Sequence, residues 1–205
     1  MCLIRHIIRL LVNTTGWFIL TGRISFLILF SLLLLQACHR QSPQELTDLG
    51  ALEVQRNNPK GAAVYFLNAL KQDPEFIDAR QRLGFTYLSL RKFQQAEVEL
   101  QRVLKTRKTE RTVILALAEI YNYKGRGDET ISLVSTLPAL AKEDPLVYQV
   151  MGNAYRVKGL YQKACDVFRE GLALSAEDPD LSLGLAAALI DNAEPAVALE
   201  LLKQV

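Results

Sequence analysis

The sequence predicts an all-α chain, built as a solenoid of short helix–turn–helix hairpins. Three observations predict it. In residues 145–178, Tyr148, Met151, Gly152 and Tyr155 fall at i, i+3, i+4 and i+7. Tyr161, Ala164, Phe168 and Gly171 form a second apolar stripe after Lys158-Gly159, so two amphipathic helices face each other across a glycine turn. This pattern recurs every 34 residues without an insertion, from starts at Pro43, Ile77, Arg111, Pro145 and Pro179. Proline, serine, aspartate and asparagine punctuate the chain at the boundaries this phase requires.

The elements follow in order. A small residue on the first helix reads Gly50, Gly84, Ala118, Gly152 and Ala186, after Leu49, Leu83, Leu117, Met151 and Leu185. The small residue of the second helix reads Ala62, Ala96, Thr130, Ala164 and Ala198; the large one four later reads Phe66, Leu100, Val134, Phe168 and Leu202. Small residues permit close approach and the large ones fill the space around it. One hairpin cannot bury both its faces, so neighbours must stack. Ser42-Pro43 with Glu45 offers a capping box with proline at the first helical position. Asp73-Pro74, Asp144-Pro145 and Asp178-Pro179 are expected to repeat that start, and Pro59 and Pro195 to break the helices within the first and fifth hairpins. The third hairpin departs most: Thr130 replaces alanine and Pro138 falls near the end of its second helix, which predicts the loosest contact. The fifth leaves Leu199, Leu202 and Val205 without a capping helix, and the expectation is an array that continues.

These columns resemble the tetratricopeptide (TPR) repeat, with its Leu-Gly, Tyr, Ala, Phe and Pro at set offsets. The resemblance covers nearly all of residues 43–205, with repeats at 43–76, 77–110, 111–144, 145–178 and an incomplete 179–205. It implies a right-handed superhelix whose concave surface is lined by the first helices. By the repeat phase the inward positions are Gln81, Phe85, Leu88, Glu119, Asn122, Gln149, Asn153 and Arg156. They make an amphipathic groove suited to a protein or peptide ligand. The two-lysine, two-asparagine clamp of some TPR domains is not matched, because no lysine stands among these positions.

The N-terminus has a separate logic. Arg23, the apolar run 24–35 and the small Ala37 read as a secretory signal, too short to span a bilayer comfortably. Leu35-Gln36-Ala37-Cys38 resembles a bacterial lipoprotein box, which implies cleavage before Cys38 and lipidation of its thiol, with a linker over 38–42. An uncleaved anchor is the competing reading, supported by a second apolar stretch over 7–20. Either would hold the repeats at a membrane, outside the cytoplasm, and His39 after the lipidated cysteine fits sorting to the outer membrane. The layout is similar to TPR lipoproteins associated with exosortase and exopolysaccharide (PEP-CTERM) systems. It implies a scaffold in envelope assembly, exopolysaccharide export or protein export. The alternatives are a type IV pilus or outer-membrane assembly lipoprotein, and the N-terminal part of a longer protein with a regulatory or catalytic continuation.

Composition narrows the function classes. Of 24 basic residues, Arg5, Arg9 and Arg23 precede Cys38 and no acid does, leaving 21 basic against 22 acidic residues. That balance argues against a nucleic-acid partner. No P-loop, GxSxG, HExxH or EF-hand pattern occurs. The only histidines are His6 and His39, so the repeats hold no imidazole base, and Cys2, Cys38 and Cys165 form no metal-ligand spacing. No enzyme activity, cofactor, metal or small-molecule substrate is expected. Cys165 reads as a small core residue, and the carboxylate pairs Glu97/Glu99 and Glu143/Asp144 as solvated faces or helix caps.

Overall fold

The structure, a computed structural model, describes residues 41–138 and 144–203. The signal segment, the lipobox with Cys38, Glu143 and Val205 lie outside the described residues. The described chain contains ten helices and no strand. They pair as α1 (Pro43–Gln55) with α2 (Pro59–Gln72), α3 (Ile77–Ser89) with α4 (Phe93–Thr106), α5 (Arg111–Tyr123) with α6 (Gly127–Ser135), α7 (Pro145–Val157) with α8 (Tyr161–Leu174), and α9 (Pro179–Asp191) with α10 (Pro195–Leu202). Each pair is a hairpin, and the hairpins stack into an all-α solenoid.

The turn within each hairpin is a Schellman motif. Asn57, Arg91, Gly125, Gly159 and Ala193, each 34 residues after the last, take the left-handed conformation with φ between 56° and 77°. In the second hairpin the Arg91 N–H donates to the Leu88 carbonyl (2.9 Å) and the Lys92 N–H to the Tyr87 carbonyl (2.8 Å). These bonds satisfy carbonyls that the helix end leaves orphaned. The same pair of bonds recurs at the other four turns.

Helix starts are capped unevenly. Ser42 Oγ accepts from the Glu45 N–H (3.2 Å) while Glu45 Oε2 accepts from the Ser42 N–H (2.7 Å), a complete capping box. Asp144 accepts from the Leu146 N–H, and Asp178 from those of Asp180 and Leu181. Asp73-Pro74 does not start a helix. Asp73 ends α2 and accepts from the Glu75 N–H (3.0 Å) in the loop, while α3 begins at Ile77 after an uncapped Phe76. The cap column of the repeat is 42, 76, 110, 144 and 178, and Asp73 stands three residues ahead of it.

Packing within the hairpins explains the small and large columns. A Cβ placed on Gly152 would lie 2.6 Å from Phe168 Cζ, and one on Gly84 2.6 Å from Leu100 Cδ2. In the third hairpin the pair is exchanged together: Ala118 adds a methyl group and Val134 removes volume, and both are buried. Phe168 also reaches the next hairpin, where a Cβ on Gly184 would lie 2.3 Å from its Cε1. One ring thus wedges between α7 and α9. Thr130 is fully buried, and its hydroxyl donates to Asn122 Oδ1 (2.8 Å), with the Ala118 carbonyl oxygen 3.1 Å away. The substitution therefore adds polar ties between α5 and α6 as well as bulk. Helix α6 has nine residues where α2, α4 and α8 have fourteen. Pro138 falls inside the span the others occupy, lacks an N–H and would clash with the carbonyl of Val134.

Glu97 and Glu99 are not a solvated face. Glu97 is 6% exposed and sits between hairpins, where Arg126 Nη1 (2.6 Å) and Lys124 Nζ bond its two oxygens. Arg126 also stacks on the Tyr121 ring, 4.2 Å from its centroid. Arg80, itself buried, reaches Glu99 Oε2 (2.6 Å) and the Pro74 carbonyl. At the positions equivalent to Glu97 the other hairpins carry Ala63, Ile131, Cys165 and Leu199. A charge at a packing column is retained because it is paired and hydrogen-bonded across the interface.

Candidate partner-binding groove

A groove of about 780 Å³ runs across the first helices of three successive hairpins, α3, α5 and α7, and touches α9 through Asp191. These positions face the groove because a helix of 3.6 residues per turn presents one stripe per hairpin, and the 34-residue phase aligns the stripes. Phe85, Leu88, Glu119, Asn122, Gln149, Asn153 and Arg156 all line it. Gln81 does not: its side-chain oxygen accepts from Arg107 Nη1 (2.9 Å), and Arg107 Nη2 donates to Asp78 (2.7 Å).

The lining residues divide by what they are already bonded to. Asn122 is committed at both ends, accepting from Thr130 and donating Nδ2 to the Val150 carbonyl (2.8 Å), so it ties α5 to α7. Arg156 donates Nε and Nη2 to Asp191 Oδ2 (3.0 and 2.9 Å), with Asn153 Oδ1 3.5 Å from its Nη1. Glu119 is exposed and makes no ion pair among the described residues. Phe85 and Leu88 are half-buried and pack on the core between the second and third hairpins.

The groove extends further than the repeat phase alone indicates. Arg91, Phe93 and Tyr123 close one edge, where the turns of two hairpins meet. Phe93 and Tyr123 stack with centroids 4.1 Å apart, and Tyr123 is 63% exposed. Arg111, Thr112 and Leu146 form the opposite edge, and Arg111 pairs with Asp144. The sequence signal for Arg91 and Phe93 is the turn itself: Arg91 is its left-handed residue and Phe93 opens the next helix two residues later. The columns of the first helix do not contain them. Cys165 is fully buried, and burial pushes its thiol above the ordinary value, which suits a core residue. Among the described residues no group of three potential metal ligands converges, and no helix is long and apolar enough to cross a membrane.

A family model described as "Tetratricopeptide repeat" matches residues 53–112, from the last turn of α1 through the second hairpin to the start of α5. No curated protein matches the sequence. Solved structures share the fold. A tetratricopeptide repeat protein from Parabacteroides merdae superposes with a TM-score of 0.75 at 14% identity, over 82% of this chain. This chain spans 66% of that protein's length. MamA (residue 41 to its end) from Desulfovibrio magneticus gives 0.70 at 15% identity, over 79% of this chain and 92% of that one. PilF of Pseudomonas aeruginosa gives 0.63 at 21% identity, over 78% and 72%. The fold is that of TPR solenoids.

Proposed function

We propose that this chain is a non-catalytic, membrane-anchored scaffold that binds a segment of a protein partner in the groove over α3, α5 and α7. The carrying observation is that seven side chains from three helices, aromatic, aliphatic, amide and charged, line one continuous groove. That mixture suits a peptide, with apolar anchors for affinity and amides for main-chain hydrogen bonds. The anchor is the N-terminal segment, through lipidated Cys38, and the working location is the periplasmic side of a bacterial envelope, at the outer membrane. Support for the anchor is the lipobox-like sequence before Cys38 together with the apolar run that leads into it. Exopolysaccharide or protein export and outer-membrane assembly are the settings this layout fits.

One experiment tests both halves. The full-length protein is crosslinked in its own cells, recovered from membranes, and weighed intact. Expected are a mature N-terminus at Cys38 carrying lipid and a crosslinked partner. That partner is lost from the doubly substituted Phe85→Ala, Asn153→Ala protein and from Glu119→Arg, which touches only the exposed lining. Retention of the partner by both variants, with native helical content, would refute the groove. An intact Met1 would refute cleavage at Cys38.

A further inference from the structure

We propose that the corner formed by Arg91, Phe93 and Tyr123 receives the side-chain carboxylate of an acidic residue, next to an aromatic or leucine, in the peptide segment that occupies the groove. The inference rests on the groove reading above and specifies the chemistry of its ligand. Three cations line the groove, Arg91, Arg111 and Arg156. Arg111 is paired with Asp144 and Arg156 with Asp191. Arg91 has no carboxylate partner among the described residues.

Its guanidinium is nonetheless held. The central carbon lies 5.4 Å from the Phe93 ring centroid and 5.7 Å from that of Tyr123. Contact with aromatic faces fixes the plane of an arginine while leaving its edge N–H groups free. Those edge donors match a carboxylate in a two-pronged, charge-assisted arrangement. The rotamer entropy that a free surface arginine would lose on binding is already partly spent in the stack. Exposed Tyr123 and half-buried Leu88 line the same groove as the cation and offer an apolar seat there, so an apolar residue adjoining the acid is recognised with it. A paired cation would charge its own partner's desolvation against the ligand, and Arg91 carries no such debt.

The test uses a displayed library of random hexapeptides, selected against the folded full-length protein in detergent. Enrichment of aspartate or glutamate adjoining Phe, Tyr or Leu is expected. The leading synthetic hexapeptide is expected to bind Arg91→Gln and Tyr123→Ala at least fivefold more weakly, and Arg91→Glu is expected to enrich lysine or arginine at the acid's position. Arg91 and Tyr123 are exposed, and unchanged helical circular dichroism shows that the variants fold. Enrichment of peptides without an acid, equal binding by Arg91→Gln, or no enrichment would each overturn the proposal. Peptides weakened by Phe85→Ala, Asn153→Ala but indifferent to Arg91 would overturn it while leaving the groove reading intact.

Discussion

Five residues at a spacing of 34 hold the left-handed turn of each hairpin, and only two of them, Gly125 and Gly159, are glycine. A side chain in this conformation costs about 1–2 kcal/mol, offset by the chain entropy that glycine loses on folding, about 0.5–1 kcal/mol. A Cβ on Gly159 would touch nothing within 4 Å, so its substitution tests the backbone alone. Gly159→Ala is expected to destabilise by about 1 kcal/mol, and Ala193→Gly to stabilise by up to about 1 kcal/mol. Urea unfolding followed by circular dichroism reads both, and equal midpoints for all three proteins would contradict the argument. Arg91 occupies the same strained column, and its side chain is the one of the five that lines the groove.

At the scale of the element, a hairpin closes when the small residue of its first helix matches the large residue of its second. The third hairpin shows the match can be exchanged: Ala118 faces Val134 where Gly152 faces Phe168. Gly152→Ala should overpack the Phe168 ring and cost about 1–3 kcal/mol. Phe168→Val should open a cavity and cost about 2–4 kcal/mol. The double variant recreates the third hairpin's pair, so its cost is expected to fall short of the sum by at least about 1 kcal/mol. Strict additivity in a double-mutant cycle would show that the two side chains do not compete for one space. Thr130 shows the limit of size alone as a guide, since its hydroxyl bonds Asn122 while its bulk occupies an alanine's place.

At the scale of the whole molecule, stability is a sum of hairpins and the interfaces between them. The interface between the second and third is partly ionic. Burial pushes the Glu97 carboxyl up, but the hydrogen bonds from Lys124 and Arg126 together outweigh it and hold it below its ordinary value of 4.5. A carboxyl depressed in the folded state stabilises above its unfolded value, and that contribution disappears as pH falls through the folded one. Glu97→Gln is therefore expected to cost about 1–3 kcal/mol at pH 7, less than a fully enclosed pair because both cations reach solvent. The gap from the unsubstituted protein should narrow on acidification below 4.5, and a gap of the same size at pH 7 and pH 3 in urea titrations would rule the linkage out. The 34-residue period, the all-α class and seven groove-lining positions were legible in the sequence, because a helix writes its buried and facing stripes into residue spacing. Caps were legible where aspartate or serine stood in the repeat's cap column, and misread at Asp73, where an Asp-Pro pair marks a loop. What only the tertiary structure decided is which polar side chains are already spent. Glu97 and Asn122 are satisfied by partners 27 and 28 residues away, and Arg91 is steadied by a ring 32 residues along the chain. Spacing along one helix cannot encode a bond made between hairpins, because that bond depends on how far the turns bring two faces together.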